Sequence, residues 1–182
     1  MSLARMCPVS GQAGRYQRSA TGMIGALVVL LAVIAGFVVF REVIREDPES
    51  PVDAVDYQQP LGFAREQAGF PVLAPERLPD GWKATNVDFT PEPAHWHLGV
   101  LTDEGRYVGL EQAVVSERSM VRTYVDPEPS QGADITIDGQ SWSTWTDQGG
   151  DTALVRKEAK VTTLVVGSVS QEVLVDYVES LR

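Results

Sequence analysis

An apolar run near the N-terminus constrains this chain more than any other feature of the sequence. Nineteen consecutive residues, Gly22–Phe40 (GMIGALVVLLAVIAGFVVF), carry no charged or strongly polar side chain. As an α-helix with a rise of ~1.5 Å per residue, the run would be about 28 Å long, close to the ~30 Å hydrocarbon core of a bilayer. Buried helices of soluble proteins rarely stay apolar on every face over such a length. The run predicts one transmembrane helix at residues 22–40.

A cleaved signal peptide is the main alternative to this anchor. Such a peptide has a shorter apolar region, and small residues follow it at a cleavage site. Here the sequence FVVFREVIRED places bulky residues at those positions, and no cysteine follows the run for lipid attachment. The pattern therefore favours an uncleaved signal anchor.

The distribution of charge predicts the orientation of the anchor. Residues 1–40 contain three arginines and no acidic residue, whereas residues 41–182 contain 12 Lys/Arg and 25 Asp/Glu. Positively charged residues stay on the cytoplasmic side of a first membrane helix. We therefore expect residues 1–21 in the cytoplasm and the C-terminal part outside the cytoplasmic membrane, in the cell envelope.

The predicted outer part contains no cysteine and is strongly acidic. The only cysteine, Cys7, precedes the anchor, so the outer part can form no disulfide and must fold on its hydrophobic core. Its acidity also argues against nucleic acid as a partner, because phosphate binding needs clustered Lys and Arg side chains.

The remaining chain divides into a linker and one domain. Residues 41–56 mix charges with prolines, as exposed linkers do, and the domain is predicted at 57–182. Its strands alternate with too few helices for a parallel sheet, so we expect an α+β fold in which helices flank an antiparallel sheet. The predicted helices cover 61–68, a segment starting at Ser116, and a C-terminal segment capped by Ser168 and Gln171; the predicted strands are 82–90, 94–102, 106–115, 134–137, 140–146, 152–158 and 161–167.

Several motifs resemble one known family. After an arginine-containing lead and a single anchor come FPVLAPERLPDGW, HWHLGVLTDEGRYVGLEQ and TTLVVGSVSQEVLVDYVESL, which resemble the actinobacterial membrane-anchored family called Domain of Unknown Function 4245. The resemblance covers nearly the whole chain and implies a location and an architecture, with no catalytic residue to transfer. The order of elements is also similar to the α+β sandwich of the PsbP and Mog1 type, although a shared fold does not establish a function.

Both histidines of the chain lie in one short stretch, HWH at residues 95–97. Side chains alternate between the faces of a strand, so His95 and His97 share one face, whereas Trp96 shares the other with Leu98 and Val100. The apolar set predicts that Trp96 is buried and that both imidazoles point away from the core.

A metal site at these histidines would need a third ligand, because catalytic zinc takes three protein ligands. Glu111 on the next strand is the best-placed candidate. A three-residue hairpin loop at 103–105 would place Glu111 opposite His97, whereas a four-residue loop would place Leu110 there. We favour histidines that are hydrogen-bonded to neighbours and expect no cofactor, with His95, His97 and Glu111 as the alternative metal ligands.

The tryptophans are expected in the core or in hairpins, although they could instead line a ligand pocket. A two-residue turn at Asp138-Gly139 would pair Ile135 with Trp142, a stabilising contact between an aromatic and a β-branched side chain. The four are Trp82, Trp96, Trp142 and Trp145.

Small residues line one stripe of the predicted anchor, at Gly22, Gly25, Ala32 and Gly36. Such stripes let membrane helices approach one another closely. The stripe therefore suggests self-association or docking on another envelope protein.

Together these features predict a single-pass membrane protein whose exterior domain binds a protein partner or an envelope ligand. Patterns typical of catalysis, such as a glycine-flanked nucleophile or a phosphate-binding loop, do not occur, so we expect no enzymatic activity. Two other functions remain open: a carrier or sensor of a small apolar ligand, and a metal-dependent enzyme that uses His95 and His97.

Overall fold

The computed structural model describes residues 24, 25, 27–34, 36 and 53–182. The described residues between 24 and 36 are helical, and their large apolar side chains are exposed. In this described part of the chain, no helix is both long and apolar enough to cross a membrane. Gly25, Ala32 and Gly36 of the small-residue stripe are among the exposed residues. Gly22, the predicted cytoplasmic segment and residues 37–52 lie outside the described residues.

Residues 53–182 form a compact unit around one antiparallel eight-stranded sheet. The strand order is β1-β2-β3-β8-β7-β6-β4, and β5 pairs with β6 beside this path. The α+β class with an antiparallel sheet and flanking helices is confirmed. The elements in chain order are α1 (Gln58–Gln67), β1 (Lys83–Pro91), β2 (Ala94–Leu101), β3 (Tyr107–Ala113), α2 (Glu117–Tyr124), β4 (Ser130–Gln131), β5 (Ile135–Ile137), β6 (Gln140–Thr146), β7 (Thr152–Glu158), β8 (Val161–Gly167) and α3 (Gln171–Glu179).

The two faces of the sheet are covered differently. On the first face, α1 and α3 pack over a large core that includes Trp96, Leu98 and Leu154. On the second face, α2 buries Met120 and Val121 against side chains of β7 and β8. The second face of β1 to β3 instead carries mostly exposed or half-buried side chains. This uncovered half of the sheet positions the candidate site.

The first hairpin turn selects one of the two registers weighed from the sequence, and the second has the register predicted for it. The Thr102 N–H donates to the Arg106 carbonyl at 2.8 Å, which closes a three-residue loop, and His97 pairs with Glu111. At the second turn, Asp138 and Gly139 both have positive φ, as a type I′ turn requires. The predicted pairing of Ile135 with Trp142 is confirmed.

Helix starts differ from the predictions for local reasons. Helix α1 begins at Gln58 rather than at residue 61, because Pro60 falls in the first turn, where the missing N–H costs no helical hydrogen bond. Helix α3 is capped by Ser170, whose side chain accepts from the Val173 N–H, so the predicted cap at Ser168 is wrong. Ser168 instead continues the pairing of β8 with β3, because its N–H donates to the Tyr107 carbonyl.

The described residues of the predicted linker, 53–56, contact the domain. The Val55 N–H donates to the Ala84 carbonyl of β1 at 2.8 Å, and the next residue, Asp56, accepts from the Gln58 N–H at the start of α1. These residues therefore hold the start of α1 beside the edge strand β1.

Candidate functional site

Glu111 lies near the centre of the uncovered half of the second face, and both histidines contact it. Its Oε1 is 2.6 Å from His97 Nδ1, and its Oε2 is 2.8 Å from His95 Nε2. The residue is 2% exposed, whereas the imidazoles are half-buried. The structure thus brings together all three residues that the sequence singled out, as a hydrogen-bonded cluster.

Trp96 occupies the opposite face of the same strand, as predicted. The residue has no exposed surface, and its Nε1 donates to the Leu73 carbonyl at 3.1 Å. Leu98 and Val100 are also fully buried on that face. The strong preference of these three side chains for the core leaves the imidazoles on the second face.

Two tyrosines complete the cluster. The Tyr124 hydroxyl of α2 is 3.1 Å from His95 Nε2, and the two rings stack with their centroids 5.8 Å apart. The Tyr107 ring lies over Gly99 and Gly109, where a Cβ added to Gly109 would come within 2.6 Å of the Tyr107 hydroxyl. Burial, followed by the nearby Glu111 charge, raises the pKa of both tyrosines.

Glu111 also shifts the titration of His97. Its hydrogen bond to His97 is the largest influence and raises the pKa of the imidazole above 6.5, burial opposes this effect, and the charge of Asp88 on β1 adds a smaller increase. When His97 is protonated, the two side chains form an ion pair on a half-buried surface.

We expect Glu111→Gln to lower the pKa of His97, because the mutation replaces the charged carboxylate that favours the imidazolium with a neutral amide. The measurement is an NMR titration of the histidine ring protons. Asp88→Asn is the matched control and should lower this pKa less, since Asp88 is the smallest contributor. Equal shifts in the two variants would contradict the assignment of Glu111 as the main partner.

The His97–Glu111 pair makes the stability of the fold depend on pH in a defined direction. Because the pKa of His97 is higher in the folded domain than in the unfolded chain, the ion pair stabilises the fold fully below about pH 6.5, and this stabilisation is lost as the pH rises through the folded value. When the pH is raised from about 6.5 through the folded pKa of His97, the Tm of the His97→Gln variant should therefore fall less than the Tm of the unmodified protein.

The geometry is that of a hydrogen-bonded cluster. Glu111 offers a different oxygen to each imidazole, and among the described residues no group of three or more His, Cys, Asp and Glu side chains is arranged to hold a metal ion. Within the same residues, the side-chain hydrogen-bond partners of the two imidazoles are Glu111 and Tyr124, so neither imidazole is hydrogen-bonded to a serine, threonine or cysteine side chain. The arrangement can hold and exchange a proton and can present imidazole edges to a partner.

A cavity of about 290 Å³ adjoins the cluster between β2, β3 and α2. His95 and Tyr124 form its polar wall, and Met120 forms part of its floor. At its rim, Val114 is 52% exposed and Val115 is 37% exposed. Exposed apolar side chains beside a polar aromatic cluster are typical of a surface that contacts another molecule.

The four tryptophans do not share one cavity. Trp96 and Trp142 belong to the core on the first face, where Trp82 stacks on Tyr177, whereas Trp145 packs against the core on the second face. Because the sheet separates Trp145 from the other three, the four tryptophans cannot line a single ligand pocket together.

The sequence pointed to part of this site and missed the rest. Tyr107, Gly109 and Glu111 share a face through strand alternation, so Tyr107 could have been identified from the pattern. Tyr124 lies on a helix, and no local pattern links it to His95.

Comparisons with known proteins identify a family. The model of the family described as "Protein of unknown function (DUF4245)" matches residues 15–181. No curated protein and no solved structure matches the chain.

Proposed function

We propose, for a chain that belongs to the family of proteins of unknown function DUF4245, that it is a single-pass envelope protein whose exterior domain binds a partner protein. The proposed contact surface, called here the histidine face, consists of His95, His97, Glu111, Tyr107 and Tyr124 on the uncovered half of the sheet. The observation that carries this proposal is that most side chains on that half are exposed or half-buried, whereas α2 covers β7 and β8 on the same face.

The side chains of the histidine face suit contact with a protein. Tyr107 is 39% exposed and Tyr124 is 36% exposed, and aromatic residues are enriched in protein interfaces. The Tyr124 hydroxyl is held by His95 Nε2, and the Tyr107 ring is held by its close approach to Gly109, so little side-chain entropy is lost when a partner binds.

The charge of the domain defines the chemistry of the partner. Residues 53–182 contain 10 Lys/Arg and 21 Asp/Glu, a net charge of −11. Asp88 and Thr90 extend the polar edge of the histidine face on β1. A partner with a basic surface would associate faster with such a domain, and its binding would weaken as salt rises.

The membrane anchor rests on the apolar run and on the exposure of its described side chains. Ile24, Leu27 and Val29 are each 60–65% exposed, and large apolar side chains in this state are stabilised by transfer into a lipid phase. We assign the run to the cytoplasmic membrane with the N-terminus inside, following the charge distribution.

Protease protection tests this topology. In intact spheroplasts, added protease should remove a tag placed after Arg182 and leave a tag before Met1 intact. Deletion of residues 22–40 should release the protein into the soluble fraction. Protection of the C-terminal tag would overturn the orientation, and continued membrane association of the deletion variant would overturn the anchor.

Site-specific crosslinking tests the binding surface. A photoreactive amino acid at Tyr124 should crosslink to one protein, whereas the same group at Phe63, an exposed residue of α1 on the other face, should not. The crosslink should weaken when salt is raised. Equal crosslinking from both positions would overturn the histidine face as the contact surface, and crosslinking to a second copy of this chain would replace the partner with self-association.

We infer no enzymatic role for His95 and His97, and their use as metal ligands has a direct test. Elemental analysis of the purified protein should find no stoichiometric zinc or copper, and the His95→Gln/His97→Gln variant should have the same metal content. Stoichiometric metal that disappears in this variant would instead favour the metal-dependent enzyme, with Glu111 as the third ligand.

A further inference from the structure

A second cavity, of about 440 Å³, lies on the first face of the sheet, opposite the histidine face. It is formed where the segment after α1 crosses the ends of β3, β7 and β8. Phe70 and Leu73 supply apolar walls, and Arg156, Gln112 and Thr163 supply polar groups. Its volume falls within the range of small-molecule sites, which combine apolar walls with a few polar groups.

Arg156 lines this cavity, and one of its hydrogen-bond donors has no partner among the described residues. Its guanidinium lies 5.3 Å from the centre of the Trp142 ring, and its Nη2 donates to Glu158 Oε2 at 2.8 Å. Its Nε is buried and has no hydrogen-bond partner in the described part of the chain. Nε and Nη2 form the side edge of a guanidinium, which pairs with a carboxylate through two parallel N–H···O bonds. Only one half of that edge is in use.

The present partner of Arg156 is easily displaced. The side chain of Glu158 is 74% exposed, so it can turn into solvent at small cost, as exposed ion pairs contribute little to stability. A ligand carboxylate in its place would engage Nη2 and Nε together. The exchange replaces a single hydrogen bond with two parallel hydrogen bonds.

The other cavity residues also favour a single negative charge. Lys160 lies at the rim, so Arg156 and Lys160 against Glu158 give the lining a net charge of +1 inside an otherwise acidic domain. Thr163 is 4% exposed, and its Oγ1 accepts from Gln112 Nε2, which leaves its hydroxyl hydrogen free to donate. Gln112 itself is held by the Leu73 N–H and keeps this group in place.

We propose that this cavity binds a small molecule that carries one carboxylate on a short apolar chain. The carboxylate pairs with the side edge of Arg156 and lies near Lys160, and the chain packs between Phe70 and Leu73. This inference goes beyond the proposed function, because it concerns the opposite face of the sheet and does not depend on a protein partner there.

The test uses the full chain in lipid nanodiscs with sodium octanoate as the probe. The readout is the ¹H–¹⁵N NMR signal of Arg156 Nε, and octan-1-ol and acetate serve as controls that lack the charge and the chain. Octanoate should shift the signal saturably, with a dissociation constant in the millimolar range because the ligand is small. Octan-1-ol and acetate should shift it far less.

Four variants, followed through backbone amide signals of the cavity lining, identify the groups involved. Arg156→Gln should raise the dissociation constant at least about tenfold, because it removes a charge-assisted pair, and Lys160→Gln should raise it less. Glu158→Gln should lower it by removing the competing carboxylate. Lys157→Gln is the matched control: Lys157 is exposed and is not among the residues that line the cavity, so this variant should bind as the unmodified protein does.

Three results would overturn the proposal. One is the absence of a saturable shift at octanoate concentrations about tenfold above the millimolar dissociation constant that is expected for so small a ligand. The second is an equal response to octan-1-ol, which would mean that the charge is not recognised. The third is a Glu158→Gln variant that binds no more tightly while Lys160→Gln has no effect, and this result is decisive even if Arg156→Gln fails to fold, because both positions are exposed.

Discussion

Replacing Trp96 with alanine is expected to lower the free energy of unfolding of the domain by about 3–5 kcal/mol. The indole has no exposed surface, and its neighbours belong to a close-packed core, so its removal leaves a cavity that they cannot fill. The variant also leaves the Leu73 carbonyl without the indole N–H that it accepts. Chemical denaturation followed by circular dichroism measures the loss.

Trp82→Ala is the control for this prediction. Trp82 is only half-buried and stacks on Tyr177 at a centroid distance of 6.0 Å. It therefore buries less apolar area than Trp96, and its truncation should lower the free energy of unfolding by a smaller amount. A loss below about 1 kcal/mol in Trp96→Ala would contradict the burial of this side chain and, with it, the face assignment of both histidines.

Met120→Ala is expected to destabilise the domain by about 2–5 kcal/mol through the second core. Met120 is 1% exposed and, with Val121, is one of the two buried residues of α2. A helix of eight residues is not stable without such packing. We therefore expect α2 to loosen and the contact between Tyr124 and His95 to be lost, as measured by faster amide hydrogen exchange in α2 together with chemical denaturation.

Arg122→Ala is the matched control on the same helix. Arg122 is exposed, so the substitution should change stability by less than about 0.5 kcal/mol and leave amide exchange in α2 unchanged. If Met120→Ala also left the exchange of α2 unchanged, the helix would not depend on the second core.

Much of the fold could be predicted from local patterns. Strands β7 (152–158) and β8 (161–167) have the predicted bounds, because apolar β-branched residues mark each strand and turn residues mark its ends. The turn at Asp138-Gly139 has a backbone geometry that few residues adopt, so this dipeptide alone predicts the turn and the register of β5 with β6. Strand β4 was not predicted, since two residues are too few to show a period.

The candidate site shows where local patterns stop. Alternation in HWH separates Trp96 from His95 and His97, but the sequence left two possible hairpin loops after β2, and each placed a different residue opposite His97. The hydrogen bond from Thr102 to Arg106 selects the loop that brings Glu111 into the site. A change of one residue in the register would move every side chain of β3 to the other face.

The sequence by itself determined the apolar run, the opposite charges of residues 1–40 and 41–182, and the α+β class. It also determined the face on which each side chain of the HWH strand lies. These features follow from hydrophobic periodicity and charge, which can be read within a short segment without knowing what packs against it. Only the tertiary structure decided that Tyr124 contacts His95 and that the Arg156 cavity forms under Phe70. Both depend on packing between segments far apart in the chain, where the position of a side chain is set by the elements that cover it.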